Sequence, residues 1–434
     1  MDKKIAEELL SFIHRSPSCF HAVENLAEEL ERAGARRLYE NQRWELTEGG
    51  KYYVIRNGSA LIGFQIPENR KKGFLVAAAH SDAPTMKLKA DPELENEHYV
   101  RLNVEKYGGG ILSTWLDRPL SIAGRITCLQ DGKMKVKPVW LNEDLALIPN
   151  LAIHMNRQMN EGVALNPQID ILPLIGGPEA KGELRKRLAE AAGAAENEIL
   201  DFDLFLSVRE QGHIWGLKEE FISSPRLDDL QGAWACVQGF IQAEHPACIP
   251  LCVVFDNEEV GSGTKQGADS DFLRNVLERI SACLGEDLQE YQTALASSLM
   301  LSVDNGHAIH PNHPEKADVT NHPHMNGGIV IKYSANQKYT TDSVAAGLLK
   351  ILCKEEGVPV QTFVNRSDIA GGSTLGNIST TQVSLNTVDI GLAQLAMHSA
   401  VETGGVKDTA YLLKALRRFY QAQVVCEEDE YQIL

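Results

Sequence analysis

The sequence predicts an α/β protein built around a mixed sheet, with a second, β-rich unit inserted into it. Helix candidates alternate with short apolar strand candidates along most of the 434 residues, a pattern typical of an α/β sandwich. A chain of this length exceeds the size at which a single hydrophobic core stops growing, so two domains are expected. We therefore predict a discontinuous main domain, residues 1–92 and 223–434, and an inserted domain, residues 93–222.

The main domain carries most of the helix candidates. The first of them, residues 5–14, is amphipathic, and the others are residues 19–33, 273–283, 341–356 and 407–422. Runs of large apolar and β-branched residues predict buried strands at residues 74–79, 249–255 and 301–303. The inserted domain has strand candidates at residues 120–126 and 134–140 and one helix candidate, residues 182–194, so we expect it to be β-rich.

Composition excludes several classes of partner. The formal charge of −17, from 42 basic and 59 acidic residues, argues against nucleic acid and against an anionic membrane as partners. No apolar run approaches the length of a membrane span, and the N-terminal segment resembles an amphipathic helix more than a signal peptide. The eight scattered cysteines fit buried thiols in a reducing compartment. We expect a cytoplasmic protein.

The most informative motif follows the predicted strand at residues 249–255. There Glu258 and Glu259 form an adjacent pair of carboxylates before small residues. Neighbouring residues on an extended chain point in different directions, so one carboxylate could hold a metal ion while the other handles a proton. Metal-assisted hydrolysis needs that division of labour. A solvated acidic turn is the alternative interpretation of this motif taken alone.

Four further motifs place metal-ligand types near the ends of apolar segments. They centre on His80, Asp228, Asp304 and His398. Together with Glu259 they make two histidines and three carboxylates, the ligand set of two divalent ions that share a bridging carboxylate. Asp82 follows His80 by two residues and can reach the other ring N–H of that histidine, which would fix its tautomer. In open α/β sheets ligands bind at the carboxyl ends of strands, so these positions suit a metal centre.

At these motifs the chain closely resembles the M18 metallo-aminopeptidases, the aspartyl aminopeptidase family. The resemblance extends from about residue 20 almost to the C-terminus, and its motifs match in order and spacing. They are residues 79–82, 148–154, 225–230, 256–262, 303–312, 331–333 and 397–399. Asp229 is a departure, because we expect many family members to carry Asn there. The resemblance implies a dinuclear-metal aminopeptidase of α/β sandwich fold.

The family resemblance also implies a role for each motif residue. Asp228 would bridge two metal ions, with His80 and Asp304 completing one site and Glu259 and His398 the other. Glu258 would be the general base, and Asp82 would orient His80. Zinc is the expected ion at both sites, with manganese and cobalt as alternatives, because carboxylate and imidazole ligands suit all three.

Assembly and substrate choice follow from the same resemblance. In this family the inserted domain makes subunit contacts in a tetrahedral dodecamer, and the histidine matching His154 enters a neighbouring active site to stabilise the tetrahedral intermediate. Lys332 would meet the side-chain carboxylate of an N-terminal Asp or Glu of a peptide substrate. Tyr339 and residues 371–374 would shape that pocket, and His307 would lie near it. Some family members prefer neutral residues, so that alternative stays open.

Three classes of function compete with this interpretation: another dimetal hydrolase of the same fold, a non-enzymatic protein and a phosphatase. A carboxypeptidase or N-acyl deacylase of the same fold would need a different pocket, and the match across residues 148–154 speaks against both. A non-enzymatic assembly protein is disfavoured because the ligand set and Glu258 are intact. A phosphatase is weaker still, since no basic or Gly-rich phosphate cradle accompanies the carboxylates.

Overall fold

The computed structural model describes residues 2–428 and 430–434. Within these residues the helices are α1 (Asp2–Arg15), α2 (Cys19–Arg32), α3 (Glu183–Ala192), α4 (Leu227–Gln242), α5 (Phe272–Cys283), α6 (Leu288–Ala296), α7 (Ser343–Glu355), α8 (Leu375–Gln382) and α9 (Asp408–Gln421). The strands are β1 (Arg36–Leu38), β2 (Lys51–Arg56), β3 (Ala60–Gln65), β4 (Phe74–His80), β5 (Thr85–Glu95), β6 (Val100–Tyr107), β7 (Leu120–Gln130), β8 (Lys133–Trp140), β9 (Leu174–Gly176), β10 (Ile199–Val208), β11 (His213–Trp215), β12 (Phe221–Ser224), β13 (Ile249–Phe255), β14 (Leu299–Val303), β15 (Gly306–His307), β16 (Ile329–Tyr333), β17 (Val360–Val364), β18 (Asn386–Gly391), β19 (Ala393–Leu395), β20 (Glu402–Gly405), β21 (Val424–Glu427) and β22 (Glu430–Ile433).

The largest sheet is mixed and has nine strands in the order β1-β2-β3-β13-β4-β14-β18-β16-β17. Strand β13 pairs parallel to β4 and antiparallel to β3, and β14 pairs parallel to β4. Every residue of β4, β13 and β14 is buried, as expected for central strands with both faces covered. Because β13, β4 and β14 are parallel neighbours, their carboxyl ends meet at one edge of the sheet.

Helices cover both faces of this sheet. One apolar core joins it to α1, α2, α4, α7 and α9, and a second core joins the other face to α5, α6 and α8. The amphipathic pattern that predicts α1 is satisfied here, since Ala6, Leu9 and Ile13 are buried in the first core. The predicted α/β sandwich with a mixed sheet is confirmed.

A second unit is built from β5 to β10 and α3. Its six strands form an antiparallel sheet in the order β8-β7-β10-β5-β6-β9, with an apolar core of its own that includes Leu184 and Leu188 of α3. Strand β5 begins five residues after His80, so the chain passes from the metal-ligand motif directly into this unit. The division at residues 93 and 222 stays a prediction.

Two smaller sheets complete the structure of the described residues. A five-stranded sheet in the order β11-β12-β20-β19-β15 leads into the start of α4 and carries the turn at residues 396–401. A hairpin of β21 and β22 lies near the C-terminus. Across residues 2–428 and 430–434, no helix is long and apolar enough to cross a membrane.

Candidate metal centre

Three of the predicted ligands lie at the carboxyl ends of the three central strands. His80 is the last residue of β4, Asp304 follows β14 directly, and Glu259 lies in a short 3-10 turn four residues after β13. The other two ligands come from outside the large sheet. Asp228 is in the first turn of α4, and His398 is in the turn after β19. The structure thus brings all five residues to one edge of the sheet.

The five side chains form two groups that share Asp228. In one group His80, Asp228 and Asp304 each offer a ligand atom, and in the other Asp228, Glu259 and His398 do; within each group these atoms all lie within 4.8 Å of one another. Asp228 faces both histidines, since its Oδ1 is 3.8 Å from Nε2 of His80 and its Oδ2 is 3.5 Å from Nε2 of His398. Nε2 of His398 is also 3.4 Å from Oε2 of Glu259. Asp228 thus lies between the two groups and faces the histidine of each.

The unpaired atoms of the cluster fit divalent cations. Oδ1 of Asp228 and Oε1 of Glu259 are buried and have no hydrogen-bond partner in the part of the chain that the structure describes. Burial and repulsion from Asp228 raise the pKa of Glu259 well above its ordinary value. Buried carboxylates of this kind are costly unless they are paired or coordinate a metal. Nitrogen and carboxylate oxygen donors in such a set suit zinc.

Glu258 adjoins the cluster on the side of His80. One of its carboxylate oxygens lies within 4.8 Å of ligand atoms of His80 and Glu259. Burial raises the pKa of Glu258 to about 8, against the opposing effect of His80. A carboxylate whose proton affinity is raised toward neutral pH is suited to accept and return a proton.

Asp82 contacts both His80 and the turn that carries Glu258 and Glu259. Nδ1 of His80 is 3.1 Å from the backbone carbonyl of Asp82 and 3.3 Å from its Oδ1. The backbone N–H groups of Glu258 and Glu259 donate to the two Asp82 oxygens at 3.1 and 3.2 Å. Asp82 therefore orients the His80 ring and also fixes the turn that carries both glutamates.

Sequence reasoning missed two buried residues that support the ligands. Glu402 is 2% exposed and accepts hydrogen bonds from the backbone N–H of Asp228 at 2.9 Å and of His398 at 2.7 Å. The side-chain amide of Asn305 donates to the Leu227 carbonyl at 3.1 Å, and the backbone carbonyl of Asn305 accepts from Nζ of Lys332 at 2.7 Å. Asn305 lies in the motif at residues 303–312, directly after Asp304, so its position in the sequence is a signal that could have identified it. Glu402 offered only a carboxylate between apolar and small residues.

The predicted substrate-binding residues lie beside Asp304. Lys332 is 3% exposed, and its Nζ is 3.5 Å from Oδ1 of Asp304 and 5.6 Å from the ring centre of Tyr339. The ring of Tyr339 also packs near Phe363, at 6.2 Å between centres, and the ring centre of His307 lies 5.9 Å from that of Phe363. His307, Phe363 and the 371–372 segment line one cavity. Lys332, Tyr339, Phe363 and His307 therefore form one series of contacts that begins at Asp304.

His154 lies apart from the cluster. It is exposed, in a loop where Leu151, Ile153 and Met155 are exposed by 58, 49 and 75%. In the described residues no hydrogen bond or ion pair joins His154 to the metal-ligand residues of its own chain. An exposed histidine among exposed apolar side chains is typical of a contact surface.

Comparison with known proteins gives likenesses over nearly the whole chain. Residues 12–420 match the model of the family described as aminopeptidase I zinc metalloprotease (M18). A probable M18 family aminopeptidase 2 of Clostridium novyi is 46% identical over 426 residues, which is 96% of this chain and 98% of that protein. A solved complex of Ape4 and Nbr1 contains a chain that is 36% identical, with a TM-score of 0.94, covering 97% of this chain and 86% of that one. The mApe1 dodecamer of S. cerevesiae is 31% identical with a TM-score of 0.85, covering 96% of both chains.

Proposed function

Since the chain belongs to the M18 family of aminopeptidases, we propose that it releases the N-terminal residue of peptides by dinuclear metal chemistry, with a preference for acidic N-termini. The observation that carries the proposal is the pair of ligand groups sharing Asp228 beside Glu258. Asp228 faces two histidines across the cluster, and among the described residues Oδ1 of Asp228 and Oε1 of Glu259 are buried without a hydrogen-bond partner. This is the expected geometry for two ions about one bridging ligand.

Residues from different elements would hold the two ions. His80 and Asp304 would hold one, Glu259 and His398 would hold the other, and Asp228 would be shared by both. When bound, the two ions polarise the carbonyl of the scissile bond and lower the pKa of the attacking water. The family description as a zinc metalloprotease supports zinc, and manganese and cobalt are the alternatives for the same donor set.

Glu258 is the general base in this proposal. Its raised pKa, about 8, and its place beside His80 and Glu259 support a group that takes a proton from the attacking water and gives it to the leaving amine. Asp82 keeps Glu258 in place, because Oδ1 of Asp82 accepts a 3.1 Å hydrogen bond from the backbone N–H of Glu258. It also holds the His80 ring in one orientation.

Lys332 is the residue that selects acidic N-termini. Its ammonium group has three N–H donors. Among the described residues, one hydrogen bond to the Asn305 carbonyl and one ion pair with Asp304 hold this group. A remaining N–H is available for a substrate carboxylate next to Tyr339 and His307. A preference for neutral residues is the alternative, because Asp304 already compensates the charge of Lys332.

We also propose that the chain assembles into a homo-oligomer, a tetrahedral dodecamer, through the inserted domain at residues 93–222. The likeness to the mApe1 dodecamer supports this assembly. His154 enters a neighbouring active site and stabilises the oxyanion of the tetrahedral intermediate. Its exposure, in a loop with exposed Leu151, Ile153 and Met155, supports a role across a subunit contact. The eight free cysteines support a cytoplasmic location.

The test is turnover of chromogenic substrates with N-terminal Asp, Glu, Leu or Lys by metal-stripped protein to which zinc, manganese or cobalt is restored. Release that depends on metal and favours Asp and Glu is the expected result. Release that favours Leu or Lys would keep the metal chemistry and overturn the acidic preference. No release with any of the three metals, by protein of native assembly size, would overturn the proposed aminopeptidase activity of this chain.

A further inference from the structure

The segment from Tyr107 to Ile111 connects the six-stranded sheet to the metal centre. Tyr107 is the last residue of β6, and three glycines follow it. Its hydroxyl donates to Oδ2 of Asp82 at 2.7 Å and accepts from Nδ2 of Asn257 at 2.8 Å. A residue of the second unit therefore contacts the motif that carries His80 and the motif that carries Glu258 and Glu259.

The Tyr107 hydroxyl makes the shortest hydrogen bond to the Asp82 side chain. Among the described residues, the backbone N–H groups of Glu258 and Glu259 also donate to these oxygens, at 3.1 and 3.2 Å. Asp82 in turn contacts Nδ1 of His80 at 3.3 Å. A shift of the Asp82 carboxylate would thus move the His80 ring and the glutamate turn together.

The rest of the segment packs against the second ligand group. The backbone N–H of Ile111 donates to the His398 carbonyl at 2.9 Å. A Cβ atom added to Gly109 would lie 3.4 Å from Nδ1 of His398, and one added to Gly108 would lie 3.2 Å from Cβ of Glu259. Gly108 also has a φ of +75°, which favours glycine. The backbone of the segment can approach His398 and Glu259 closely because these positions carry no side chain.

We propose that Tyr107 is a positioning residue of the metal centre. Through Asp82 it holds the His80 ring and the Glu258–Glu259 turn in the geometry that binds the ions. The glycines after Tyr107 let the backbone pack directly against His398 and fix its position. The six-stranded unit is therefore a part of the metal centre as well as a neighbour of it. This inference rests on the proposed function, because it presupposes that the cluster holds metal.

The experiment compares Tyr107→Phe with Tyr99→Phe in the full-length protein. Each variant loses one hydroxyl from an end of β6. Tyr107 is the last residue of the strand, at the cluster, whereas Tyr99 precedes its first residue and is 52% exposed. The readouts are the affinity of the metal-stripped protein for cobalt, the absorption spectrum of bound cobalt, and kcat and KM. Loss of a hydrogen bond that supports a metal ligand lowers metal affinity by roughly 10- to 100-fold.

For Tyr107→Phe we expect this fall in cobalt affinity, an altered cobalt spectrum and a lower kcat. We expect KM to change little, because the proposed substrate-binding residues Lys332, Tyr339 and His307 are unchanged. Tyr99→Phe should match the wild type. Equal cobalt affinity and spectrum in Tyr107→Phe and wild type would overturn the inference. A wild-type protein that binds none of zinc, manganese and cobalt would instead overturn the proposed function, so the two failures are distinguishable.

A second variant keeps the test decisive if Tyr107→Phe does not fold. Asn257→Gly removes the amide that donates to the Tyr107 hydroxyl, and glycine tolerates the positive φ of 61° at that position. We expect the same direction of change with a smaller loss of cobalt affinity. Unchanged affinity in a native-sized assembly of Asn257→Gly would overturn the inference.

Discussion

The backbone N–H of His398 donates a 2.7 Å hydrogen bond to Oε1 of Glu402, four residues later in the chain. The other oxygen of Glu402 accepts from the backbone N–H of Asp228 at 2.9 Å. One buried carboxylate thus fixes the backbone of two ligands that come from different elements, the turn after β19 and the first turn of α4. Burial raises the pKa of Glu402 to about 8, with repulsion from Asp228 adding to the effect.

Glu402→Gln should weaken metal binding in a folded protein. A glutamine side chain has one acceptor oxygen, so the N–H of either Asp228 or His398 loses its partner, at a cost of about 1–3 kcal/mol. We expect metal affinity to fall by roughly 10- to 100-fold. Metal titration of the stripped protein measures this, with Glu97→Gln, a side chain 87% exposed, as the matched control. Equal affinities in the two variants would show that Glu402 is only a structural residue.

Glu258→Gln should separate metal binding from turnover. The amide keeps the size of the side chain and the hydrogen bond from its backbone N–H to Asp82, but it cannot accept a proton. We expect full metal content and a fall in kcat of roughly 100- to 10,000-fold, the usual contribution of a general base. Metal analysis and kcat on the same preparation check the prediction. Near-normal kcat would remove Glu258 from the role of base.

Much of the fold could be predicted because its signals are local. The helix predicted at residues 273–283 is α5 (Phe272–Cys283), and the one at 407–422 is α9 (Asp408–Gln421). Helix α4 is not predicted from the sequence, because nearly all of its residues up to Phe240 are buried and it therefore lacks an amphipathic pattern. Helix α8, Leu375–Gln382, is short and rich in polar and β-branched residues, which are weak helix formers.

The same contrast separates the site residues that were predicted from those that were not. His80, Glu259 and Asp304 follow apolar strands, and the adjacency of β13, β4 and β14 turns three local motifs into one cluster. Glu402 and Tyr107 act through contacts with residues 174 and 25 positions away. No local pattern marks such a partner, because the contact exists only once the sheets have packed.

Lys332→Met should change substrate preference more than turnover of neutral substrates. The substitution removes the cation beside Asp304 and keeps an unbranched apolar stem against Tyr339. If Lys332 contacts the substrate, kcat/KM for an N-terminal Asp substrate falls by roughly 10-fold or more relative to Leu, corresponding to a charge-assisted hydrogen bond of about 1.5–3 kcal/mol. The ratio of the two kcat/KM values is the measurement. An equal fall for both substrates would mean that Lys332 serves Asp304 and Asn305 alone.

His21 should make the metal-free protein sensitive to mild acid. Burial, with a smaller effect of Arg226, lowers the pKa of His21 from 6.5 to about 4, and its Nδ1 lies 2.8 Å from the Ser18 hydroxyl. The unfolded chain therefore binds a proton before the folded chain does, so stability is lost as pH falls from about 6.5 to about 4. The loss from this group is at most about 3 kcal/mol.

His21→Gln removes this titration and keeps a polar partner for Ser18. We expect the free energy of unfolding of the variant to change less between pH 6.5 and 4.5 than that of the wild type, in urea titrations at one protein concentration with chelator present. Parallel curves for the two proteins would show that His21 is not a source of acid sensitivity.

Mixed assemblies can test whether His154 acts on a neighbouring subunit. The His154→Ala chain keeps the metal-ligand residues and Glu258 but lacks the histidine. The Glu258→Gln chain keeps His154 but lacks the general base. If the histidine acts in its own chain, every site in a mixture of the two variants lacks one of the two residues. If it acts across a subunit contact, some sites receive Glu258 from one chain and His154 from the other.

We therefore expect activity to return when the two inactive variants are dissociated, mixed and reassembled. With random association at equal amounts, about one site in four combines both functional residues, so recovery of roughly a quarter of wild-type kcat is the expected value for independent sites. Each variant reassembled alone is the control and should stay inactive. Mixing without recovery, in assemblies of native size that contain both chains, would contradict action across the contact. Such a result would place the apolar surface around His154 in assembly alone, where the exposed Leu151, Ile153 and Met155 already fit a subunit contact.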